Sequence, residues 1–390
     1  MKIKFMKFLS TAGLVAASVM CVAGEFNYSG GVDAVQGLKG ICYHLAVGDL
    51  NKDGKEDILV SLWPNGVHAF FQNDGKFPST PDWTFDHDRV CNGVIIKDLD
   101  GDNVNDLAIY SHIPRTVFLF SGKNNLKDPE KLVNGNTGNS GLLTVKLAEG
   151  EYTFLTGPGL RSMMKDGKFA NGYVCGPKNN DNAAVTAIDI NNDDSTDLIF
   201  VGNVNPSIRI YGGPINPVGM LVPAAAKFFY ELNTDKKLLS QVPPAVIDIN
   251  SDARLDIVFA AKEGVFAFLQ QSPCEFSNDQ KPELLFSQAA DQLYAVDLDN
   301  DKRNDLVLMS GSKAYIFSGA KAIKGKKLDE ADRILEASPG HAFTVLTFKD
   351  VNLDGLCDIV AAQAKGQETK TVTFYQEKDN SKADGKDVSR

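Results

Sequence analysis

The chain has 390 residues, of which 43% are hydrophobic, and its formal net charge is −10. This composition is typical of a soluble globular protein and argues against a fibrous or low-complexity chain. No basic patch stands out, so nucleic-acid binding is not expected.

The first 24 residues predict a signal peptide. A lysine-rich start is followed by a short apolar run that ends in small residues near Ala23, which is typical of an export signal. That run is too short for a transmembrane helix, and no later segment is long and apolar enough to cross a bilayer. We therefore expect a secreted, periplasmic or cell-surface protein without a transmembrane segment after cleavage. Lipidation of Cys21 stays open as an alternative, although Met20 stands where a lipoprotein signal takes a small residue.

Downstream of this segment, one acidic nonapeptide recurs six times. Asp occupies its positions 1, 5 and 9, and Asp or Asn occupies position 3. Apolar runs of strand length flank each copy, a third run follows a short turn, and a fourth, weaker run precedes the next copy. The copies begin at Asp49, Asp98, Asp189, Asp248, Asp297 and Asp350. Four antiparallel strands in about fifty residues are typical of one blade of a β-propeller.

The interval between Asp98 and Asp189 is nearly twice the usual one. Residues 142–156 fill it with a strand, a turn and a strand that carry no ligand set. The chain therefore predicts an all-β, seven-bladed β-propeller over residues 25–376, whose third blade lacks an acidic loop. The last blade lacks an outer strand, and we expect residues 25–28 to supply it, so that the N-terminal strand closes the ring. The polar tail, residues 377–390, is expected to be disordered.

Oxygen-bearing side chains alternate along each nonapeptide and can converge on one point. Ca²⁺ takes about six to eight oxygen ligands, and clustered carboxylates repel one another when no ion lies between them. We therefore predict up to six structural Ca²⁺ ions, which explain the acidity of the chain better than a basic partner does. The predicted ligands are Asp49, Asn51, Asp53 and Asp57; Asp98, Asp100, Asp102 and Asp106; Asp189, Asn191, Asp193 and Asp197; Asp248, Asn250, Asp252 and Asp256; Asp297, Asp299, Asp301 and Asp305; and Asp350, Asn352, Asp354 and Asp358.

Position 6 of the loop is expected to need a positive φ. Gly54 and Gly355 suit that conformation, and the Asn and Asp of the second and third copies tolerate it. Ala253 and Lys302 would be strained there, so we expect weaker or distorted sites in the fourth and fifth copies.

Two other interpretations of the acidic loops were weighed. An EF-hand or dockerin opens with the same residues, but it needs a Glu at position 12 and a following helix. Here the last ligand falls at position 9 and a strand follows. Plain acidic turns, in which Asp and Asn serve only their turn propensity, are the other alternative. Six copies in one register favour metal binding over plain turns.

These repeats resemble the FG-GAP/VCBS family, which also builds the propeller of integrin α-subunits. The resemblance covers roughly residues 25–376 and rests on D-x-[DN]-x-D-x-x-x-D in register, while the Phe-Gly and Gly-Ala-Pro elements are echoed only loosely at 211–214 and 317–320. It implies a seven-bladed propeller with structural calcium in the hairpin between the first two strands of a blade, and partners on the opposite face. Because the family includes adhesion, lectin and lyase-like proteins, the function stays open.

The first functional hypothesis is a non-enzymatic binding or scaffold module for a glycan or an extracellular protein. Its ligand would meet the loops between the second and third strands, where Trp63 is a candidate for stacking on a sugar ring or, alternatively, a packing residue at the blade edge. These loops are expected at 63–66, 112–115, 157–160, 203–206, 262–264, 311–313 and 364–369. A subunit of a cell-surface assembly is a related alternative.

The second hypothesis, a polysaccharide-active, lyase-like enzyme, is disfavoured. The five histidines are scattered, and no nucleophile elbow, zinc signature or phosphate loop is present. The triplet Asp86-His87-Asp88 is typical of a solvated turn. We therefore expect no enzymatic activity.

Cys42 and Cys91 each lie seven residues before the first Asp of a loop. A disulfide in an oxidising compartment and two separately buried thiols are both compatible with this spacing. Cys357 is expected to be a buried packing residue.

Overall fold

A computed structural model describes residues 26–377 of the chain, with gaps. The gaps are residues 87–90, 112–115, 134–140, 148–149, 158, 166–167, 174–183, 203–205, 216–222 and 273–274. The predicted signal peptide, Cys21, His87 and the predicted tail after residue 377 therefore lie outside the described residues.

In the described residues, twenty-eight strands form seven antiparallel sheets of four strands each, which we number as blades 1 to 7 in chain order. The first strand, β1 (Val32–Lys39), precedes blade 1 and belongs to blade 7. Blade 1 contains β2 (Ile41–Gly48), β3 (Asp57–Trp63), β4 (Gly66–Phe70) and β5 (Trp83–Phe85). Blade 2 contains β6 (Cys91–Lys97), β7 (Asp106–Ser111), β8 (Thr116–Phe120) and β9 (Glu130–Val133). Blade 3 contains β10 (Leu142–Leu147), β11 (Gly150–Gly157), β12 (Gly159–Lys165) and β13 (Lys168–Tyr173).

The remaining blades repeat this order. Blade 4 contains β14 (Ala184–Ile188), β15 (Asp197–Val201), β16 (Ser207–Tyr211) and β17 (Phe229–Asn233). Blade 5 contains β18 (Ala245–Ile247), β19 (Asp256–Ala261), β20 (Gly264–Phe268) and β21 (Glu283–Phe286). Blade 6 contains β22 (Gln292–Val296), β23 (Asp305–Ser310), β24 (Lys313–Phe317) and β25 (Arg333–Glu336). Blade 7 contains β26 (Ala342–Lys349), β27 (Asp358–Lys365), β28 (Glu368–Phe374) and β1.

This arrangement confirms the predicted seven-bladed propeller. The blade without an acidic loop is also confirmed, because β10 and β11 pair from Leu142 with Leu155 to Leu147 with Gly150, which leaves only two residues between the strands. The described residues contain no α-helix and only three short 3₁₀ helices, Gly122–Asn124, Pro223–Ala225 and Leu328–Glu330. None of the helices in this part of the chain has the length and apolar character needed to span a membrane.

The N-terminal strand does complete blade 7, but its predicted position was wrong. The outer strand is β1 (Val32–Lys39), which pairs antiparallel with β28, whereas Tyr28 forms only an isolated bridge with Gln376. The apolar run at residues 26–28 serves packing, since Phe26 and Tyr28 are buried in the cluster between blades 6 and 7.

The hydrophobic core lies between successive blades. Second strands such as β3 are buried on both faces, so neighbouring side chains point to opposite blades. Ile58 packs into the cluster shared with blade 7, and Leu59 packs into the cluster shared with blade 2. Burial of each such side chain contributes roughly 1.5–3 kcal/mol. Similar clusters join the other neighbouring blades, so the blades are held mainly by apolar contact.

Candidate metal centres

Each acidic nonapeptide forms the hairpin between the first and second strands of its blade, as the resemblance implies. We name the loops by their blades. They are the blade 1 loop (49–57), the blade 2 loop (98–106), the blade 4 loop (189–197), the blade 5 loop (248–256), the blade 6 loop (297–305) and the blade 7 loop (350–358). Because successive strands are antiparallel, all six loops lie at the same end of their strands, and the hairpins between second and third strands lie at the other end. We call these two ends the two edges of the blades.

The side chain at position 1 organises the loop from inside. Its Oδ2 accepts a hydrogen bond from the backbone N–H of position 6 at 2.8–3.0 Å in all six loops. The oxygen at position 3 accepts from the N–H of position 5, and the carboxylate at position 5 accepts from the N–H of position 7. These local bonds turn the predicted ligands toward the centre of the loop.

Two residues of every loop adopt the left-handed conformation. The prediction for position 6 is confirmed, with φ values of +79° at Gly54, +64° at Asn103, +64° at Asp194, +66° at Ala253, +71° at Lys302 and +88° at Gly355. Position 4, which the sequence analysis missed, also has positive φ, at Lys52, Gly101, Asn192, Ser251, Asn300 and Leu353. Residue type carried no signal there, because the six side chains share no chemistry.

The Asp at position 9 holds the hairpin to the end of the third strand. In blade 1, the buried Asp57 accepts hydrogen bonds from Leu50 N–H at 2.8 Å through Oδ2 and from Gln72 N–H at 2.9 Å through Oδ1. The same pair of bonds recurs at Asp106 with Leu99 and Gly122, Asp197 with Ile190 and Gly213, Asp256 with Ile249 and Gln270, Asp305 with Leu298 and Gly319, and Asp358 with Val351 and Gln376. Sequence reasoning assigned position 9 to the metal alone and missed this role. Each carboxylate oxygen has a second lone pair, so the two roles are compatible.

Burial of these carboxylates raises their pKa values. The pKa is about 6 for Asp57 and Asp197 and about 7 for Asp256 and Asp305, although the hydrogen bonds from backbone N–H groups lower these pKa values. The neighbouring carboxylates of each loop raise the pKa further. The loops therefore hold more negative charge than their surroundings stabilise.

Two loops bring three predicted carboxylate ligands together. Oxygens of Asp98, Asp100 and Asp106 all lie within 4.8 Å of one another, and those of Asp297, Asp299 and Asp305 do the same. Oδ2 of Asp102 and Oδ2 of Asp299 are buried oxygens without a hydrogen-bond partner. An all-oxygen donor set with an unpartnered buried carboxylate oxygen fits a hard cation such as Ca²⁺. In the other four loops an Asn amide oxygen stands at position 3.

The carboxylate at position 5 is paired with a basic side chain in four loops. The pairs are Lys123 with Asp102 at 3.6 Å, Lys227 with Asp193 at 2.5 Å, Arg254 with Asp252, and Arg303 with Asp301 at 2.7 Å. The hydrogen bond from Lys227 lowers the pKa of Asp193. In the blade 1 and blade 7 loops, Asp53 and Asp354 form no ion pair with a described residue. The six loops therefore differ in how much positive charge the chain itself supplies.

Residues 49–109 match the family described as FG-GAP-like repeat. This segment is similar to an FG-GAP-like repeat. It begins at the first Asp of the blade 1 loop and ends within β7, so it includes both the blade 1 and the blade 2 loops. The resemblance noted from the sequence is confirmed for this segment.

Two solved structures of very different sequence align with most of this chain. BBS1N, in a crystal of its complex with ARL6DN soaked with mercury, aligns with a TM-score of 0.58 at 9% identity, over 90% of this chain and 97% of that one. An Agrocybe aegerita lectin that recognises non-reducing terminal N-acetylglucosamine aligns with a TM-score of 0.49 at 14% identity, over 77% of this chain and 87% of that one. Comparison with curated proteins gives no match. These likenesses concern the fold alone.

The acidic loops of neighbouring blades are linked directly. Gln72 Nε2 of blade 1 donates to the Val351 carbonyl of the blade 7 loop at 3.2 Å. Asn105 Nδ2 of the blade 2 loop donates to the Asp49 carbonyl at 3.0 Å. Gln72 is also the residue whose backbone N–H binds Asp57. A change in the conformation of one loop therefore affects the contact with the neighbouring blade.

Aromatic side chains lie at the opposite edge of blade 1. Trp63 is 41% exposed where the β3–β4 hairpin begins, and Tyr43 on β2 is 47% exposed. Trp83, by contrast, is a packing residue as expected, with its ring edge-on to Phe120 at 5.0 Å. The predicted hairpins at 112–115 and parts of those at 157–160 and 203–206 lie outside the described residues.

The three cysteines among the described residues, Cys42, Cys91 and Cys357, are free thiols. Cys42 is buried in the cluster between blades 7 and 1, and Cys91 in the cluster between blades 1 and 2, so the separate-thiol interpretation applies. Burial raises the pKa of both thiols to about 12. Cys357 packs at the cluster between blades 6 and 7, as expected.

Proposed function

We propose that this protein is a secreted, non-enzymatic β-propeller, stabilised by calcium, that binds a glycan or an extracellular protein. The observation that carries the proposal is the separation of the two edges of the sheets. All six acidic loops lie at one edge, with their carboxylates turned inward. The ligand is proposed to meet the hairpins at the opposite edge, away from the acidic loops.

Calcium would be held by the inward oxygens at positions 1, 3, 5 and 9. The triads Asp98, Asp100, Asp106 and Asp297, Asp299, Asp305 supply the strongest support, because each brings three carboxylates together. In the second triad, Oδ2 of Asp299 is buried without a hydrogen-bond partner. A bound ion would neutralise this charge and brace the hairpin. Extracellular calcium modules bind with Kd values of roughly 10⁻⁴–10⁻³ M, which suits the export predicted from residues 1–24.

The ligand surface is proposed to include Trp63 and Tyr43. An exposed indole ring offers a flat apolar face with a polar N–H, which suits stacking on a sugar ring or anchoring a protein partner. BBS1N, a propeller with a similar fold, was crystallised with the protein ARL6DN, so a protein partner remains the second candidate.

We favour a non-enzymatic function because the perturbed carboxyls belong to the loops. A lyase-like enzyme needs a base beside charge-stabilising groups in a cleft. The Asp residues whose pKa values rise to about 6 or 7 accept backbone N–H bonds on both oxygens at the hairpins. Their surroundings suit a structural role.

A glycan array, probed with and without EGTA, tests the proposal. We expect selective glycan binding that Trp63→Ala abolishes without lowering the melting temperature. Leu284→Ala is the control, because Leu284 is a large apolar residue, 56% exposed, on the outer strand of blade 5.

Failure to bind any glycan, together with capture of one protein partner that Trp63→Ala releases, would favour the protein-binding form. Turnover of any polysaccharide would contradict the non-enzymatic assignment.

A further inference from the structure

The blade 5 loop contains a cation of its own. Arg254, at position 7, forms an ion pair through Nη2 with Asp252 Oδ2, and its backbone N–H donates to Asp252 Oδ1 at 2.9 Å. Its Nε donates to the Gln270 carbonyl at 3.0 Å. The guanidinium therefore connects position 5 of the loop to the end of the third strand.

Arg254 is thereby bound to Gln270, which lies just after the third strand and also binds the Asp at position 9. The backbone N–H of Gln270 donates to Asp256 Oδ1 at 2.8 Å. Positions 5 and 9 are both predicted ligands, and a calcium ion would supply positive charge to them. In blade 5, Arg254 supplies positive charge beside position 5 and a covalently tethered link toward position 9.

The oxygens of Asp252 are also fully engaged. Oδ2 accepts from Asn250 Nδ2 at 2.9 Å in addition to Arg254, and Oδ1 accepts the backbone bond. In the blade 2 and blade 6 loops, position 3 is instead a carboxylate that belongs to a triad. Oδ2 of Asp299, at position 3 of the blade 6 loop, has no hydrogen-bond partner. Oδ2 of Asp102, at position 5 of the blade 2 loop, has no hydrogen bond and forms an ion pair with Lys123 at 3.6 Å.

Arg303 of the blade 6 loop is a natural control at the same loop position. Its hydrogen bonds among the described residues go to Asp301, at 2.7 and 3.0 Å. Its side chain is 54% exposed, against 31% for Arg254. The triad of Asp297, Asp299 and Asp305 does not include Asp301. Arg303 therefore pairs with one carboxylate and leaves the other three together.

We propose that the Arg254 guanidinium takes the place of calcium in the blade 5 loop, so that this loop is neutralised and braced without the ion. The inference rests on the proposed calcium role of the other loops, and it reduces the predicted number of ions by one. Arg254 is a positioning residue in this assignment, acting on Asp252 and on the strand end at Gln270.

Native mass spectrometry of the full chain with calcium chloride counts the bound ions. We expect Asp100→Asn, in the blade 2 triad, to lose one ion relative to wild type. Asp252→Asn, in the blade 5 loop, should lose none. Arg254→Gln should gain one ion and make its melting temperature fall further in EGTA than that of wild type, whereas Arg303→Gln should gain none.

Loss of one ion by Asp252→Asn would overturn the inference, because that loop would then be an ordinary calcium site. An unchanged ion count in folded Arg254→Gln would overturn it as well. If Asp100→Asn does not fold, Asp299→Asn in the blade 6 triad replaces it. A wild-type chain that binds no calcium gives a separate result, since it contradicts the proposed function from which the inference starts.

Discussion

Blades 1 and 3 show the same four-stranded sheet with and without an acidic loop. In blade 3 the first two strands pair up to Leu147 and Gly150, so only two residues separate them. In blade 1 an acidic loop stands at the corresponding place, and Asp57 binds it to the end of the third strand. Tyr152 and Phe154 of blade 3 are buried against blade 4. Apolar packing is therefore sufficient to form a blade.

The loop is an addition whose stability depends on charge. Blade 3 places no carboxylate where blade 1 has Asp57, since Gly150 begins its second strand. Blade 1 gathers several carboxylates and needs a cation to stabilise them. The two blades should consequently respond differently to calcium, to mutation and to pH.

Removal of calcium is expected to produce the largest difference. Each occupied loop gains about 1.4 kcal/mol when free calcium is about tenfold above its Kd, and the gains of several loops add. In EGTA we expect a lower melting temperature and faster amide hydrogen exchange in peptides from residues 41–63. Peptides from residues 142–157 should change little under native conditions. Equal loss of protection in both peptides would end the distinction between the blades.

Asp57→Ala is expected to have the next largest effect. The substitution leaves the N–H groups of Leu50 and Gln72 without their acceptor, at a cost of about 1–3 kcal/mol each. Chemical denaturation measures the loss in free energy of unfolding. Asp74→Ala is the control, because Asp74 is 92% exposed in its pair with Lys55, and such pairs contribute about 0–1 kcal/mol. Similar losses in both variants would show that Asp57 does not hold the hairpin.

The calcium effect is expected to depend on pH. Burial raises the pKa of Asp57 to about 6 and that of Asp305 to about 7 in the folded chain. Without metal, this protonation contributes stability that is fully present below the unfolded pKa of about 4 and is lost as pH rises through 6 to 7. Calcium replaces the proton, so the melting-temperature difference between calcium and EGTA should be larger at about pH 7.5 than at about pH 5. A difference that is independent of pH would contradict this linkage.

Glycine at position 6 is expected to give the smallest effect. Ala253 and Lys302 have φ values of +66° and +71°, where a β-carbon costs about 1–2 kcal/mol relative to glycine. Ala253→Gly and Lys302→Gly should each raise the free energy of unfolding. The gain should be at most about 1 kcal/mol, because the greater entropy of glycine in the unfolded chain offsets part of the relieved strain. Gly54→Ala is the reciprocal test and should destabilise, although a β-carbon there meets no atom within 4 Å. A stabilised Gly54→Ala would refute the argument from φ.

Most of the fold could be predicted from the sequence, because second strands buried on both faces leave continuous apolar runs. The outer strand β1 could not, since only Val35 among its eight residues is buried, and one buried side chain leaves little apolar signal. The stronger aromatic signal of Phe26 and Tyr28 marked packing between blades instead.

The sequence predicted the part of the candidate site that lies within each nonapeptide, and not its contacts with the rest of the blade. The ligand positions lie within nine residues and were read directly. The second role of position 9 depends on backbone groups 14 to 18 residues later in the chain. Arg254 likewise acts through Gln270, 16 residues away. Such contacts are set by the packing of the third strand, which a spacing rule does not encode.

The pairing of β1 with β28 has a consequence for the order in which the molecule can be assembled. Val32–Lys39 is synthesised before every other strand, yet its partner Glu368–Phe374 is synthesised last. Throughout translation the earliest segment must wait with its backbone groups hydrated. The circle of blades is thus completed only after the whole polypeptide is available, a long-range step of the kind that slows folding.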